Sequence, residues 1–365
     1  MIAFLLLIAY NLSLNYLIKG VLNMTLKDIA EKAGVSMMTV SNVINGKHSR
    51  VSAATIEKVN TIIKEYNYVP NLSARSLTVK SSHIIGVIVP LDSEESPVSY
   101  FDNPYVSSMI GVIERELRNN GYFVMIRSVQ TQEDLSVLMR NWNVDGVIFL
   151  YPLLGECFED SVNAIIEETH LPVVLFDARI TNPEVINVYS DDKKGCYLST
   201  RYLISRGHKK IAFAAYCEDN PLLTDRFNGY RAAMEESGLG CDPDCIFSYS
   251  PSYDDGIAAG KAIAGSGHKI TAVVTTADIC AIGVMEGARL AGLRIPTDLS
   301  VIGYDNLSVS TYTTPKLTTI SQNVTKKAET AMKLLLEKLS TGHVEQPHVQ
   351  LDVELIERQS TVSLL

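Results

Sequence analysis

Apolar positions between residues 26 and 63 follow a helical period in three separate runs. Leu26, Ile29, Ala30 and Ala33 recur at i, i+3, i+4 and i+7, which puts them on one buried helix face. Gly34 can take the positive φ that stops this helix, and Ser36 is a good N-cap for the next. On the second helix Val40, Val43 and Ile44 face inward, while Met37, Met38, Thr39, Ser41, Asn42 and Asn45 face out. Ser52 caps a third helix whose stripe is Ile56, Val59, Ile62 and Ile63. Residues 26–45 therefore read as helix, tight turn, helix. A short second helix with a small polar outer face suits entry into a DNA major groove by its N-terminus. An ordinary αα-hairpin has the same periodicity.

From His83 the period changes. Continuous apolar runs such as HIIGVIVP (83–90), DGVIFLYP (145–152), LPVVLFD (171–177), TAVVTT (271–276) and LSVIGYD (299–305) alternate with amphipathic helical stretches. Strands of this kind belong to parallel sheets covered on both faces. There are too many units for one compact domain, so the pattern predicts two doubly wound subdomains. A dinucleotide enzyme would need a glycine-rich turn after the first strand, and VIVPLDSEESP has none. No G-x-S-x-G elbow and no metal-spaced His/Glu cluster is present, and the seven histidines are dispersed. No catalytic residue, cofactor or metal is expected.

Charge separates the two parts. The chain of 365 residues carries a net −9, yet residues 24–80 hold eight Lys/Arg against four Asp/Glu, a net +4. A small basic part beside a large acidic one fits a head that meets phosphates and a body that avoids them. Of six cysteines only Cys241 and Cys245 are close, and one C-x3-C without a second pair points to free thiols rather than zinc.

Residues 1–22 are strongly apolar with Lys19 as the single charge. A signal peptide would want a basic start and a small-residue cleavage site. A membrane helix would be interrupted by Asn11, Ser13 and Asn15, marginal against the ~20 apolar residues needed. The favoured expectation is a misassigned start. Lys19-Gly20-Val21 is compatible with a purine-rich ribosome-binding stretch, which would make Met24 the first native residue and leave 1–23 as an apolar extension.

The texts TLKDIAEKAGVS, TVSNVIN, VS(x)5KV, YNYVPN and ARSL occur in order within about 55 residues. With them the chain resembles the lac-repressor (LacI/GalR) family of bacterial transcription regulators. The resemblance continues through YLISRGHKKIAF, TDRFNGYRAAMEESGL, TADICAIGVMEGARLAGLRIPTDLSVIGYDN and PKLTTISQN. It implies a small all-α helix-turn-helix DNA-binding head (24–70), a hinge helix (71–80) and an α/β periplasmic-binding-protein-like body (83–365). Its N-lobe would be 83–186 and 316–342, and its C-lobe 187–313 and 344–361.

By this match Ser36 through Asn42 lie along the major groove, with Met37, Met38 and Asn42 at base-choosing positions. Methionines there pack against groups such as the thymine methyl, and Asn42 suits adenine. Core packing is the competing role for Met37 and Met38. Thr25, Thr39, Ser41, Asn45, Arg50, Ser52, Thr55, Tyr68 and Asn71 match backbone-contacting positions. In the hinge, Asn71 can cap a short helix, and Ala74, beside Arg75, is small enough for a minor groove. Leu77 matches the leucine that family members wedge into the central base step.

In the body Asp177, Arg226 and Asp305 fall at strand ends or helix starts that face a cleft, where a carboxylate and a guanidinium suit sugar hydroxyls. Arg226 and Asp305 match effector-contacting positions of the family, and structural ion pairing is the competing role. Phe101, Asn103 and Tyr105 are expected on the N-lobe side. Two positions depart from the family pattern: Ala277 where asparagine is usual and Pro251 where an aromatic is usual. The chain ends at Leu365 without the leucine-heptad tail of the family's tetramers, so a homodimer on near-palindromic DNA is expected. The reading is a cytoplasmic DNA-binding transcription regulator, a repressor switched by a small carbohydrate, and not an enzyme. The alternative is an exported or membrane-attached sugar receptor, which leaves the head and hinge without a role.

Overall fold

Local capping signals set the head. The structure, a computed structural model, describes residues 24–44, 46–66, 68, 81–90, 100–150, 158–216, 220–267 and 269–365. Helix α1 (Leu26–Ala33) begins at a reciprocal cap in which Thr25 and Asp28 exchange backbone and side-chain hydrogen bonds. It ends at Gly34, whose φ of 67° lets its N–H reach the carbonyls of Ala30 and Glu31. Ser36 Oγ accepts from Thr39 N at 3.2 Å to start α2 (Met37–Ile44), and Ser52 caps α3 (Ala53–Glu65). The three helices close on Ile29, Ala30, Ala33, Val40, Val43, Val59 and Ile62. Ile44, Ile56 and Ile63 are half-buried against that core. The head and the body from His83 onward are two separate units.

The body follows β1 (Ile84–Pro90), α4 (Pro104–Asn119), β2 (Phe123–Val129), α5 (Gln132–Asn141), β3 (Gly146–Phe149), α6 (Phe158–Thr169), β4 (Val173–Phe176) and β5 (Val185–Ser190). Then come α7 (Asp192–Ser205), β6 (Ile211–Ala214), α8 (Pro221–Glu236), β7 (Ile246–Phe247), α9 (Tyr253–Gly265), β8 (Ala272–Thr275), α10 (Asp278–Leu290) and β9 (Ser300–Asp305). The chain finishes with β10 (Thr318–Ser321), α11 (Val324–Thr341), β11 (His348–Leu351) and β12 (Glu354–Ile356). One sheet has the order β11-β5-β4-β3-β1-β2 and the other β12-β10-β9-β8-β6-β7. All pairings are parallel except β10 with β12. Both sheets are doubly wound, as the apolar strands required. In the first sheet Ile85, Val87 and Val89 pack with α4 and α11, whereas Ile88 joins the core with α5 and α6 on the other face.

The lobe boundaries differ from those expected. β5 pairs with β4 and β11 with β5, so the N-lobe runs to Ser190 and takes 348–351 back from the C-lobe. β10 pairs with β9, so 318–321 belong to the C-lobe, and the N-lobe regains the chain only at α11. The reason is that a ladder partner decides which lobe a strand joins. Neither VINVYS in β5 nor TTIS in β10 carries a pattern that says which sheet receives it.

Helices α9 and α10 touch backbone to backbone. A Cβ at Gly256 or Gly260 would strike the carbonyl oxygens of Cys280 or Val284, and one at Gly283 or Gly287 those of Tyr253 or Ile257. The four-residue spacing of glycine on both helices makes this approach possible.

Candidate nucleic-acid interface and ligand cleft

In the head, α2 buries Val40 and Val43 and leaves Met37 52% and Met38 71% exposed. Core packing is thereby excluded for both methionines. Thr39, Ser41 and Asn42 are half-buried on the same helix. The exposed caps Thr25, Ser36 and Ser52 stand at three helix N-termini. Their hydroxyls lie 2.7–2.9 Å from Asp28 Oδ2, Thr39 Oγ1 and Thr55 Oγ1 respectively. Backbone hydrogen bonding by Thr25, then its hydroxyl, holds the Asp28 carboxyl below its ordinary value. Tyr68 packs its ring against the head core, and burial raises its phenol. The expected contacts at Asn45, the Arg50 side chain, Asn71, Ala74, Arg75 and Leu77 lie outside the described residues, as do residues 1–23 and the hinge 71–80.

In the body, the two sheets reverse strand order between β1 and β3 and between β6 and β8. Open α/β sheets bind ligands beyond the carboxyl ends of strands at such points. A cavity of about 100 Å³ lies there, well under the several hundred Å³ of drug-sized pockets. Asn103, Tyr105, Asp177, Arg226 and Asp305 all line it. Phe101 does not: it sits in a single 3-10 turn, Tyr100–Asp102, ahead of α4 and is 48% exposed. That corrects the expectation of an aromatic from Phe101 at the cleft. Leu222, Leu223, Ile279 and Leu307 supply an aliphatic wall, and Pro251 and Ala277 occupy the two positions that depart from the family pattern.

Asp177 and Asp305 reach the cavity from strand ends with φ of 53° and 113°. Non-glycine residues hold such angles only where the surroundings impose them, at a cost of about 1–3 kcal/mol each. Asp177 is saturated: Lys327 Nζ donates to both its oxygens at 2.7 Å, Ser190 N to Oδ1 at 3.0 Å and Tyr105 Oη to Oδ2 at 3.3 Å. Burial, with the Asp177 charge second, raises the Tyr105 phenol well above its usual value. Arg226 Nε donates to Asp192 Oδ1 at 2.7 Å, its Nη1 donates to the Thr276 carbonyl, and its guanidinium lies 3.8 Å over the Tyr304 ring. Burial pulls the Arg226 pKa down, but the surrounding groups, Asp192 first and Asp305 among them, together outweigh it and hold the group cationic. Asp305 Oδ1 accepts from Gln322 Nε2 at 2.5 Å, and burial raises its carboxyl to about 6 against the opposing charge of Arg226.

Sequence reasoning missed Lys327, Gln322 and Asp192. Lys327 carries a visible signal. It falls among Val324, Ala328, Ala331 and Leu335, the buried stripe of α11, and its side chain is fully buried. A cation at a stripe position demands a buried partner, and Asp177 is that partner. Gln322 bridges the lobes by donating to Asp305 and accepting from Lys327. Cys241 and Cys245 are free thiols. Among the described residues no three metal-binding side chains cluster, and no helix is long and apolar enough to cross a membrane.

Residues 25–71 match the profile described as bacterial regulatory proteins, lacI family, and residues 200–361 that of a periplasmic binding protein-like domain. The chain is 34% identical over 352 residues to the HTH-type transcriptional regulator MalR of Clostridium butyricum, covering 93% of this chain and 100% of that one. It is 32% identical over 345 residues to the HTH-type transcriptional repressor PurR of Vibrio atlanticus, covering 93% and 99%. Among solved structures, the lac repressor dimer bound to operator and the anti-inducer ONPF superposes with a TM-score of 0.78 at 28% identity, covering 93% and 99%.

Proposed function

The chain belongs to the LacI family of bacterial regulatory proteins, and from that membership we propose a cytoplasmic, homodimeric repressor whose hold on near-palindromic DNA is switched by a small carbohydrate. That it is a DNA-binding transcriptional regulator follows from the family itself. Met37, Met38 and Asn42 read bases, and Thr25, Ser36, Thr39, Ser41, Ser52 and Thr55 hold phosphates. Arg226 and Asp305 grip effector hydroxyls as donor and acceptor. Asp177 acts behind them as the anchor for Lys327 and Tyr105. An enzyme is not proposed, because the groups in the cleft are paired with one another rather than arranged as nucleophile and base.

The observation that carries the effector role is the placement of Arg226 and Asp305 on one cavity wall together with Tyr105 from the other lobe. A ligand touching both sides favours one lobe closure over another, and a tenfold change in DNA affinity needs only about 1.4 kcal/mol of coupling. The test selects a binding site from random duplexes and measures affinity against salt, with and without sugars. A regulator's affinity falls steeply with salt. No selected sequence, or affinity indifferent to every sugar, would overturn the switch.

A further inference from the structure

Resting on the carbohydrate reading above, we infer that the cleft selects an uncharged ligand: it takes an unphosphorylated, non-acidic sugar and rejects the phosphate or carboxylate derivative of the same sugar. The argument is one of committed charges. Two cations lie at the cleft, Arg226 on its lining and Lys327 behind Asp177, and each is already neutralised by a carboxylate of the protein. Lys327 Nζ has three donors, and they go to the two oxygens of Asp177 and to Gln322 Oε1. Arg226 is paired with Asp192, both side chains being under a tenth exposed, and its ring-facing side is covered by Tyr304.

What remains uncommitted is negative. Asp305 lines the cavity with no ion-pair partner among the described residues, and its Oδ1 accepts from the amide of Gln322. Asp278 behind it is committed: it accepts from Thr319 Oγ1 at 2.5 Å and Leu307 N at 2.8 Å, and burial, with the Asp305 charge second, raises its carboxyl well above the ordinary value. Arg358 donates to Asn306, Ser310 and the Leu317 carbonyl, none of which lines the cavity.

Helix N-termini, the usual backbone sites for anions, are also taken. Side-chain oxygens of Asn103, Asn220 and Asn323 cap α4, α8 and α11. Asp191 caps α7, and α10, which has no side-chain cap, starts with Asp278 itself. A phosphate entering this cleft would lose water and find no uncommitted cation among the described residues, a penalty that a neutral hydroxyl escapes. A hydroxylated ring finds an acceptor in Asp305, remaining donors on Arg226, and aliphatic contact from Leu222, Ile279 and Leu307.

The test is calorimetric titration of the full-length protein with matched pairs. These are D-glucose against D-glucose 6-phosphate and D-glucuronate, and D-ribose against D-ribose 5-phosphate, with hypoxanthine as an uncharged non-sugar. The expected result is that a neutral sugar binds and its anionic derivatives bind weaker by roughly 100-fold or more, as for a charge desolvated without a partner. An anionic member binding as tightly as its neutral parent overturns the inference and leaves the carbohydrate reading standing. Binding of hypoxanthine with no sugar bound removes the carbohydrate reading and, with it, the inference that rests on it. Asp305→Asn, which leaves both buried ion pairs in place, is expected to narrow the gap between glucose 6-phosphate and glucose. An unchanged ratio would assign the rejection to shape and overturn the electrostatic account.

Discussion

Arg226 and Asp192 form a buried ion pair, Nε to Oδ1 2.7 Å, with side chains 6% and 9% exposed. The pair ties α8 to the first turn of α7 and aims the guanidinium at the cavity. Removing one partner leaves the other charged and unpaired in a low-dielectric setting, which costs about 3–5 kcal/mol, whereas replacing both by apolar groups costs much less. Arg226→Ala and Asp192→Ala are each expected to lower the urea midpoint of the body substantially, and the double replacement Arg226→Met/Asp192→Leu to recover most of it. Additive losses in the double variant would show that the two residues do not act as a pair.

Asp305 gives the cleft a pH dependence. Its carboxyl is raised from 3.8 to about 6, chiefly by burial, so the folded protein holds a proton that the unfolded chain releases between those values. The resulting stabilisation is full below about pH 4 and is lost as pH rises through about 6, roughly 3 kcal/mol over the window. Asp305→Asn is expected to flatten the parent-minus-variant stability difference above pH 6 and to fall behind the parent below it. Effector affinity runs the other way, weakening below pH 6 as the carboxylate that accepts a hydroxyl hydrogen is protonated. Calorimetric titration of the effector at pH 5 and pH 8 checks the direction.

Glycine at the α9–α10 contact is required by contact with backbone, not by flexibility. Gly287→Ala drives a methyl into the Ile257 carbonyl, and the helices must part. Overpacking of this kind costs about 1–3 kcal/mol. Gly111→Ala in α4 meets nothing within 4 Å and gains helix propensity, so it is expected to stabilise by about 0.5–1 kcal/mol. Thermal melting of the two variants should move in opposite directions.

The head separates packing from reading. Val40→Ala removes a fully buried side chain and is expected to destabilise the head by about 2 kcal/mol. Met38→Ala alters a side chain 71% exposed, so stability should stay within about 0.5 kcal/mol while sequence preference shifts. For Asn42→Ala the expected loss is about 1–3 kcal/mol of discrimination at one base pair. Sequence preference of Met38→Ala identical to the parent's would return Met38 to a surface residue without a reading role.

Local chemistry made much of this molecule legible in its residues. Caps at Thr25, Ser36 and Ser52, the stop at Gly34 and the stripe from Leu26 to Ile63 depend on neighbours a few positions away, so the helices of the head follow from sequence spacing alone. Alternating apolar strands likewise dictated sheets buried on both faces. Pairings across long stretches of chain were a different matter. Which lobe owns β5, β10 and β11 depends on ladder partners that no periodicity encodes. Whether Asp177 is a free acceptor or a saturated one depends on Lys327, 150 positions away. Arg226 and Asp305 were visible as candidates at the ends of their elements. That the first is neutralised by Asp192 and the second is not was decided only when the two sheets brought four carboxylates and two cations into one small volume, where each charge had to find a partner or face the ligand.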